Sequence, residues 1–157
     1  MRHYMQLFRA AVTLSLIGGA AVAGPFEDAG AAFDRADYAS AQRLFGSLAD
    51  QGDAGAQHRL GLMYEGGLGV AEDYVLAAMW FRRAADQGLK IAHWDLGLMC
   101  EIGSGVQQDY VEAHKWYNLS AAQGWGPAAG ARNKLERAMT PAQIAEAQKL
   151  AREWKPR

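Results

Sequence analysis

Apolar residues recur along this chain with the spacing of helices. Ala56, Leu60 and Tyr64 lie at i, i+4 and i+8, so they share one helical face. Ala92, Leu96 and Cys100 repeat that stripe further on. A second stripe, Tyr74, Ala77, Trp80 and Phe81, returns as Tyr110, Ala113, Trp116 and Tyr117. The pattern predicts a first helix, A, over 54–65 and 90–102, and a second, B, over 73–86 and 109–122.

These stripes belong to an internal repeat. Residues 49–84 placed over 85–120 are identical at 18 of 36 positions. Upstream, Asp37, Tyr38, Ala41 and Phe45 hold the register of Asp73, Tyr74, Ala77 and Phe81. Downstream, Ala121, Gln123, Gly124 and Ala128 hold that of Ala85, Gln87, Gly88 and Ala92. The chain divides into a half repeat 37–48, full repeats 49–84 and 85–120, and a partial repeat with a C-terminal capping helix over 121–157. A short helix from Glu27 to Arg35 is expected to close the other end, because terminal units of an array need a partner for one face and a polar outer surface.

The punctuation agrees with these boundaries. Asp73 and Asp109 stand where N-caps belong, and Asp109 with Glu112 has capping-box spacing. Thr140, Pro141 and Gln143 begin the last helix as N-cap, N1 and N3. Its inward residues are expected to be Ile144, Ala147, Gln148 and Ala151. Gly88 and Gly124 end the B helices. The glycine-rich segments 66–70 and 103–106 read as turns between A and B, for they contain no Lys or Arg and follow no strand, as a phosphate loop would require. Gly61 and Gly97 fall inside the A helices at one register, where glycine disfavours helix; close approach of helix B explains them.

Before the repeats, Arg2 and Arg9 precede an apolar stretch from Ala10 to Ala20 and then Ala21-Val22-Ala23. The stretch is too short to span a bilayer, and the order is that of a secretory signal peptide over 1–23. The mature chain, 24–157, is then expected to be periplasmic or secreted, without membrane insertion, and monomeric. Cys100, the single cysteine, has no internal disulfide partner and occupies the inward stripe, so burial is expected. Being smaller than the tyrosine of the first copy, it leaves room for neighbours such as Trp116.

Charge narrows the function. Lys and Arg total 16 and Asp and Glu 17, with no basic run, which argues against nucleic acid as a partner. The histidines His3, His58, His93 and His114 form no H-x-x-x-H pair, so no metal site and no cofactor is expected. No G-x-S-x-G is present, and Cys100 with His93 or His114 is a poor nucleophile–base pair if the thiol points into the core. No catalytic residue is assigned.

The residues Gly52-x-x-x-Ala56-x-x-x-Leu60-Gly61-x-x-Tyr64, Gly67-x-Gly69-Val70 and Asp73-Tyr74-x-x-Ala77-x-x-Trp80-Phe81 resemble the Sel1-like repeat, a relative of the tetratricopeptide repeat. The second copy keeps them all, except Cys100 for Tyr64 and Tyr117 for Phe81. The resemblance covers about residues 36–130. It implies an all-α, right-handed α-solenoid of antiparallel helix pairs, with about eight helices in the mature chain. It also implies a non-enzymatic adaptor of the bacterial envelope that binds another protein on a concave helix-A surface. The alternative is a β-lactamase-like hydrolase or cell-wall glycan-binding protein. Family members linked to β-lactams carry paired cysteines in each repeat, and this chain lacks them.

Within helix A the face turned away from the apolar stripe, where most positions differ between the copies, holds the candidates for partner contact. There lie His58, Arg59 and Leu62 in the first repeat and Trp94, Asp95 and Leu98 in the second. Tryptophan is over-represented at binding hot spots, but packing of Trp94 against the next helix A, with partial burial, accounts for it somewhat better.

Overall fold

The computed structural model describes residues 23–157; the signal-peptide expectation for 1–23 falls almost entirely outside them. The described residues form α1 (Pro25–Asp34), α2 (Tyr38–Asp50), α3 (Ala54–Gly66), α4 (Tyr74–Asp86), α5 (Lys90–Ile102), α6 (Tyr110–Ala122), α7 (Gly126–Leu135), a 3₁₀ turn Glu136–Ala138, and α8 (Pro141–Glu153). None of these helices is long and apolar enough to cross a membrane. Each of the first six packs on the next in sequence, which is the zigzag of an α-solenoid. The last breaks the order: α8 folds back onto α6 rather than onto α7.

Chain reversals occur at fixed registers because one backbone motif recurs. The α2, α4 and α6 helices end with Gly52, Gly88 and Gly124 at φ of +93°, +90° and +80°. After each, a backbone N–H reaches back to a carbonyl of the last turn: Asp53 to Leu48, Leu89 to Ala84 and Trp125 to Ser120. This is the Schellman arrangement, and it satisfies carbonyls that the helix leaves free. The α1 helix ends the same way, with Asp37 donating to Ala32, but here Ala36 takes the left-handed position at φ +59°. Aspartates cap the opposite ends. Asp37, Asp53, Asp73 and Asp109 accept from Ser40, Ala56, Leu76 and both Val111 and Glu112. Leu89, in the register of Asp53, provides no cap to α5 and packs against the core instead. Thr140 and Gln143 complete a reciprocal capping box on α8. Asp109 and Glu112 form only half of one, because the Glu112 carboxylate is taken by Lys115 Nζ at 2.6 Å.

Small residues set the distances between helices. Ala41, Ala77 and Ala113 in the B register, and Ala56, Ala92 and Ala128 in the A register, have no exposed surface. A side chain on Gly97 would place its Cβ 2.5 Å from the Tyr117 ring, and one on Gly61 would collide with Phe81. The glycines therefore exist for the approach of the B-helix aromatics. Two core clusters result. One joins α1 to α3 around Phe45, Leu60 and Met63, and the other joins α4 to α8 around Phe81, Leu96, Trp116 and Tyr117.

Two expected inward residues are corrected. Tyr74 is 41% exposed, whereas Ala77 and Phe81 of its stripe are fully buried. It sits at the first turn of α4, where the Gly105 loop crosses its backbone and leaves the ring outside. Gln148 is also exposed; α8 turns only Ala147 and Ala151 fully inward.

Candidate partner-binding surface

Helix A of each repeat offers one side to solvent, and that side is set by what the others bury. On α5, Leu96 and Met99 are buried in the core and Gly97 packs against Tyr117 of α6, leaving Leu98 and Ile102 (i, i+4) exposed. Leu98 is 37% and Ile102 69% exposed. On α3, His58, Leu62 and Glu65 (i, i+4, i+7) run along the flank that meets α5. The two A helices are tied there by His58 Nε2, 2.7 Å from Asp95 Oδ2.

The six sequence candidates therefore divide. Leu98 is exposed. Trp94 is half-buried and leans on Tyr117, ring centroids 5.3 Å apart. Leu62 is half-buried against the core. Arg59 spreads over the Phe33 ring at 5.9 Å. Asp95 is engaged by His58, and the His58 ring is buried with Phe81 beside it. The expectation that His58 points away from the core is thus corrected: the neighbouring repeat covers that side, which periodicity within one helix cannot report. Ile102 was missed because its counterpart in the first repeat is Gly66, although it lies one turn beyond Leu98.

Glu65 and Glu101 occupy one register and meet different fates. Glu101 Oε2 accepts from Tyr117 Oη at 2.6 Å. The equivalent of Tyr117 is Phe81, which has no hydroxyl, and Glu65 has no hydrogen-bond or ion-pair partner among the described residues. Burial raises the proton affinity of Glu65 above the ordinary carboxylate range, the charge of Asp95 adds to this, and His58 opposes it. Tyr117 is held protonated, first by burial and then by its bond to Glu101.

A second recurring device was also missed. His93 Nε2 donates to the Ala85 carbonyl at 2.9 Å, and Gln57, its counterpart, donates to Ala49 at 3.2 Å. Gln123 donates to His93 Nδ1 at 3.1 Å, and Gln87 donates to Gln57 Oε1 at 2.8 Å. Each link ties the B helix behind to the turn ahead. The signal was present in the sequence: a polar residue in the first turn of helix A in both copies, and a glutamine before each terminating glycine. Burial lowers the proton affinity of His93, and its bond to Ala85 partly opposes this. With both nitrogens occupied in this way it is the neutral Nε2–H tautomer.

Cys100 is buried and its thiol is pushed up to about 11, chiefly by burial. His93 and His114 are both turned elsewhere, His114 to Glu136 at 2.8 Å. Among the described residues no three His, Cys, Asp or Glu side chains converge as metal ligands. An open cleft bordered by Gln108, Asp109, Tyr110 and Gln143 lies at the N-terminal ends of α6 and α8.

A family model described as the Sel1 repeat matches residues 54–89 and 90–125, so the chain carries two such repeats in tandem. Among solved structures, a protective antigen of uropathogenic Escherichia coli displaying an SLR fold is similar at 30% identity and a TM-score of 0.78. It matches 83% of this chain, which spans 29% of that one. A Sel1 repeat protein from Oxalobacter formigenes is similar at 27% identity and a TM-score of 0.69, over 83% of this chain and 56% of that one. This chain thus spans less than two thirds of either neighbour. No curated protein matches it.

Proposed function

We propose that this Sel1-repeat protein is a non-catalytic interaction module of the bacterial envelope that binds another protein on its helix-A face. Sel1 repeats are in general modules of protein–protein interaction, and that coarser role is the starting point. The observation that carries the finer reading is the exposure of Leu98 and Ile102, one turn apart, beside a half-buried tryptophan. Nothing in the fold requires an apolar side chain at Ile102, because Gly66 serves at that register of the first repeat, and Leu98 is more exposed than its counterpart Leu62, which packs against the core. Apolar side chains held in water at the open side of a repeat are what a docked segment would cover.

Export is the second part of the reading. It is supported by the charged start, the apolar stretch Ala10–Ala20 and the small residues Ala21-Val22-Ala23. Fractionation of cells expressing the chain, with N-terminal sequencing of the product, is expected to recover material beginning at Gly24 outside the cytoplasm; full-length chain in the cytoplasm contradicts it.

The binding role is tested by crosslinking and capture from an envelope fraction, with the parent beside a Leu98→Ser/Ile102→Ser variant. Both positions are exposed, so helicity should be unchanged. One identified protein held by the parent and lost by the variant supports the reading. Equal capture by both places the contact elsewhere.

A further inference from the structure

The proposal above leaves the chemistry of the partner open, and the contrast between Glu65 and Glu101 narrows it. Both glutamates lie at the same register of helix A. In the second repeat the carboxylate is satisfied internally by Tyr117 at 2.6 Å. In the first it is half-buried, the Tyr117 register is filled by Phe81, which carries no hydroxyl, and a second carboxylate, Asp95, acts on it while His58 holds that one at 2.7 Å. A partly desolvated anion with no donor is unfavourable unless a cation arrives. Two neighbouring nitrogen-bearing side chains on helix A are already engaged: Arg59 lies over the Phe33 ring and His58 Nε2 is held by Asp95. The same junction exposes Leu98 and Ile102 from α5 and partly exposes Leu62 from α3.

Resting on the helix-A reading, we infer that the partner presents a lysine or arginine set between apolar side chains, its cation meeting Glu65 at the α3–α5 junction while its apolar neighbours cover Leu98 and Ile102. The charge provides specificity and faster encounter, and the apolar contacts provide most of the affinity. An acidic or merely apolar segment would leave Glu65 desolvated without compensation, and so is discriminated against.

The repeat supplies its own control. Phe81 and Tyr117 pack on Gly61 and Gly97 in the same register, so the hydroxyl of a Phe81→Tyr variant reaches Glu65 as that of Tyr117 reaches Glu101. This variant adds a hydrogen bond while removing the demand for an outside donor. The probes are short fluorescent peptides with Leu-Val flanks and a central Lys, Gln or Glu, and a Ser-flanked Lys peptide, read by anisotropy against the purified chain. The parent is expected to prefer the Lys-centred apolar peptide over its Gln counterpart by about tenfold at low salt. Glu65→Gln and Phe81→Tyr should each erase that preference while remaining helical, and Phe81→Tyr should unfold no earlier than the parent. A parent without the preference, or a Glu65→Gln variant that retains it, overturns the inference. In either case, binding of apolar peptides that depends on Leu98 and Ile102 leaves the interaction reading standing. If no peptide binds, or binding survives Leu98→Ser/Ile102→Ser, both readings fall.

Discussion

The two full repeats share a skeleton and differ in what is hung on it. Ala56 and Ala92, Leu60 and Leu96, Gly61 and Gly97, and Ala77 and Ala113 are the same residues, all buried. Around them Gln57 becomes His93, His58 becomes Trp94, Tyr64 becomes Cys100, and Phe81 becomes Tyr117. The first repeat is sandwiched between helices of its own kind, whereas the second is closed by α8. Trp80 is accordingly half-exposed with Arg83 over its ring at 4.5 Å, while Trp116 is buried among His93 and Trp154. Equal sequence positions thus carry unequal burdens, because a solenoid unit inherits its outer face from its neighbour.

The contrast can be broken most strongly at that closing contact. Trp154 packs edge-on to His93 at 4.9 Å and to Trp116 at 6.4 Å. Trp154→Ala should cost about 3 kcal/mol in urea unfolding, at the lower end for a tryptophan truncation because the side chain is only partly buried. Trp80→Ala should cost less, and equal losses would mean that α8 adds nothing to the second repeat. Next comes the helix spacing. Gly97→Ala drives a methyl into Tyr117 and should lose about 2 kcal/mol by overpacking, despite its gain in helix propensity.

The His93–Gln57 exchange sharpens the comparison through pH. The buried His93 binds a proton less readily folded than unfolded. Its contribution is therefore fully present above the ordinary histidine pKa of about 6.5 and declines as pH falls below it. In parallel melts at neutral and mildly acidic pH, His93→Gln should lose less stability on acidification than the parent. Gln57 already performs this job in the first repeat, so the variant should fold. A parallel decline in both would assign the acid response to other groups.

Smaller gains are expected where a rule of the array is not followed. Ala36→Gly gives the first Schellman turn the glycine that the other three have, worth up to about 1 kcal/mol. Gly46→Ala, within α2 and with open space where its Cβ would lie, should add about 0.5–1 kcal/mol by propensity. Its opposite sign from Gly97→Ala separates a glycine kept for packing from one that is not.

Helix bounds, turn positions and the inward residues of α3 and α5 were legible from periodicity, and Asp73, Asp109 and Thr140 marked the starts correctly. The binding face was legible only in part: Leu98 stands open, but His58 does not, and Glu65 and Ile102 were passed over. A residue's angle around its own helix follows from its number, since backbone geometry is local. What lies opposite that angle does not. The 36-residue period, with its caps, its terminating glycines and its small residues at crossing points, determined an array of paired helices. Only the tertiary structure decided that α8 returns to α6, that His58 reaches Asp95 across the repeat boundary, and that one of two equivalent glutamates finds no donor among the described residues. Those outcomes depend on interhelical distances and on the reach of long side chains, which are properties of the assembled neighbours rather than of any single segment.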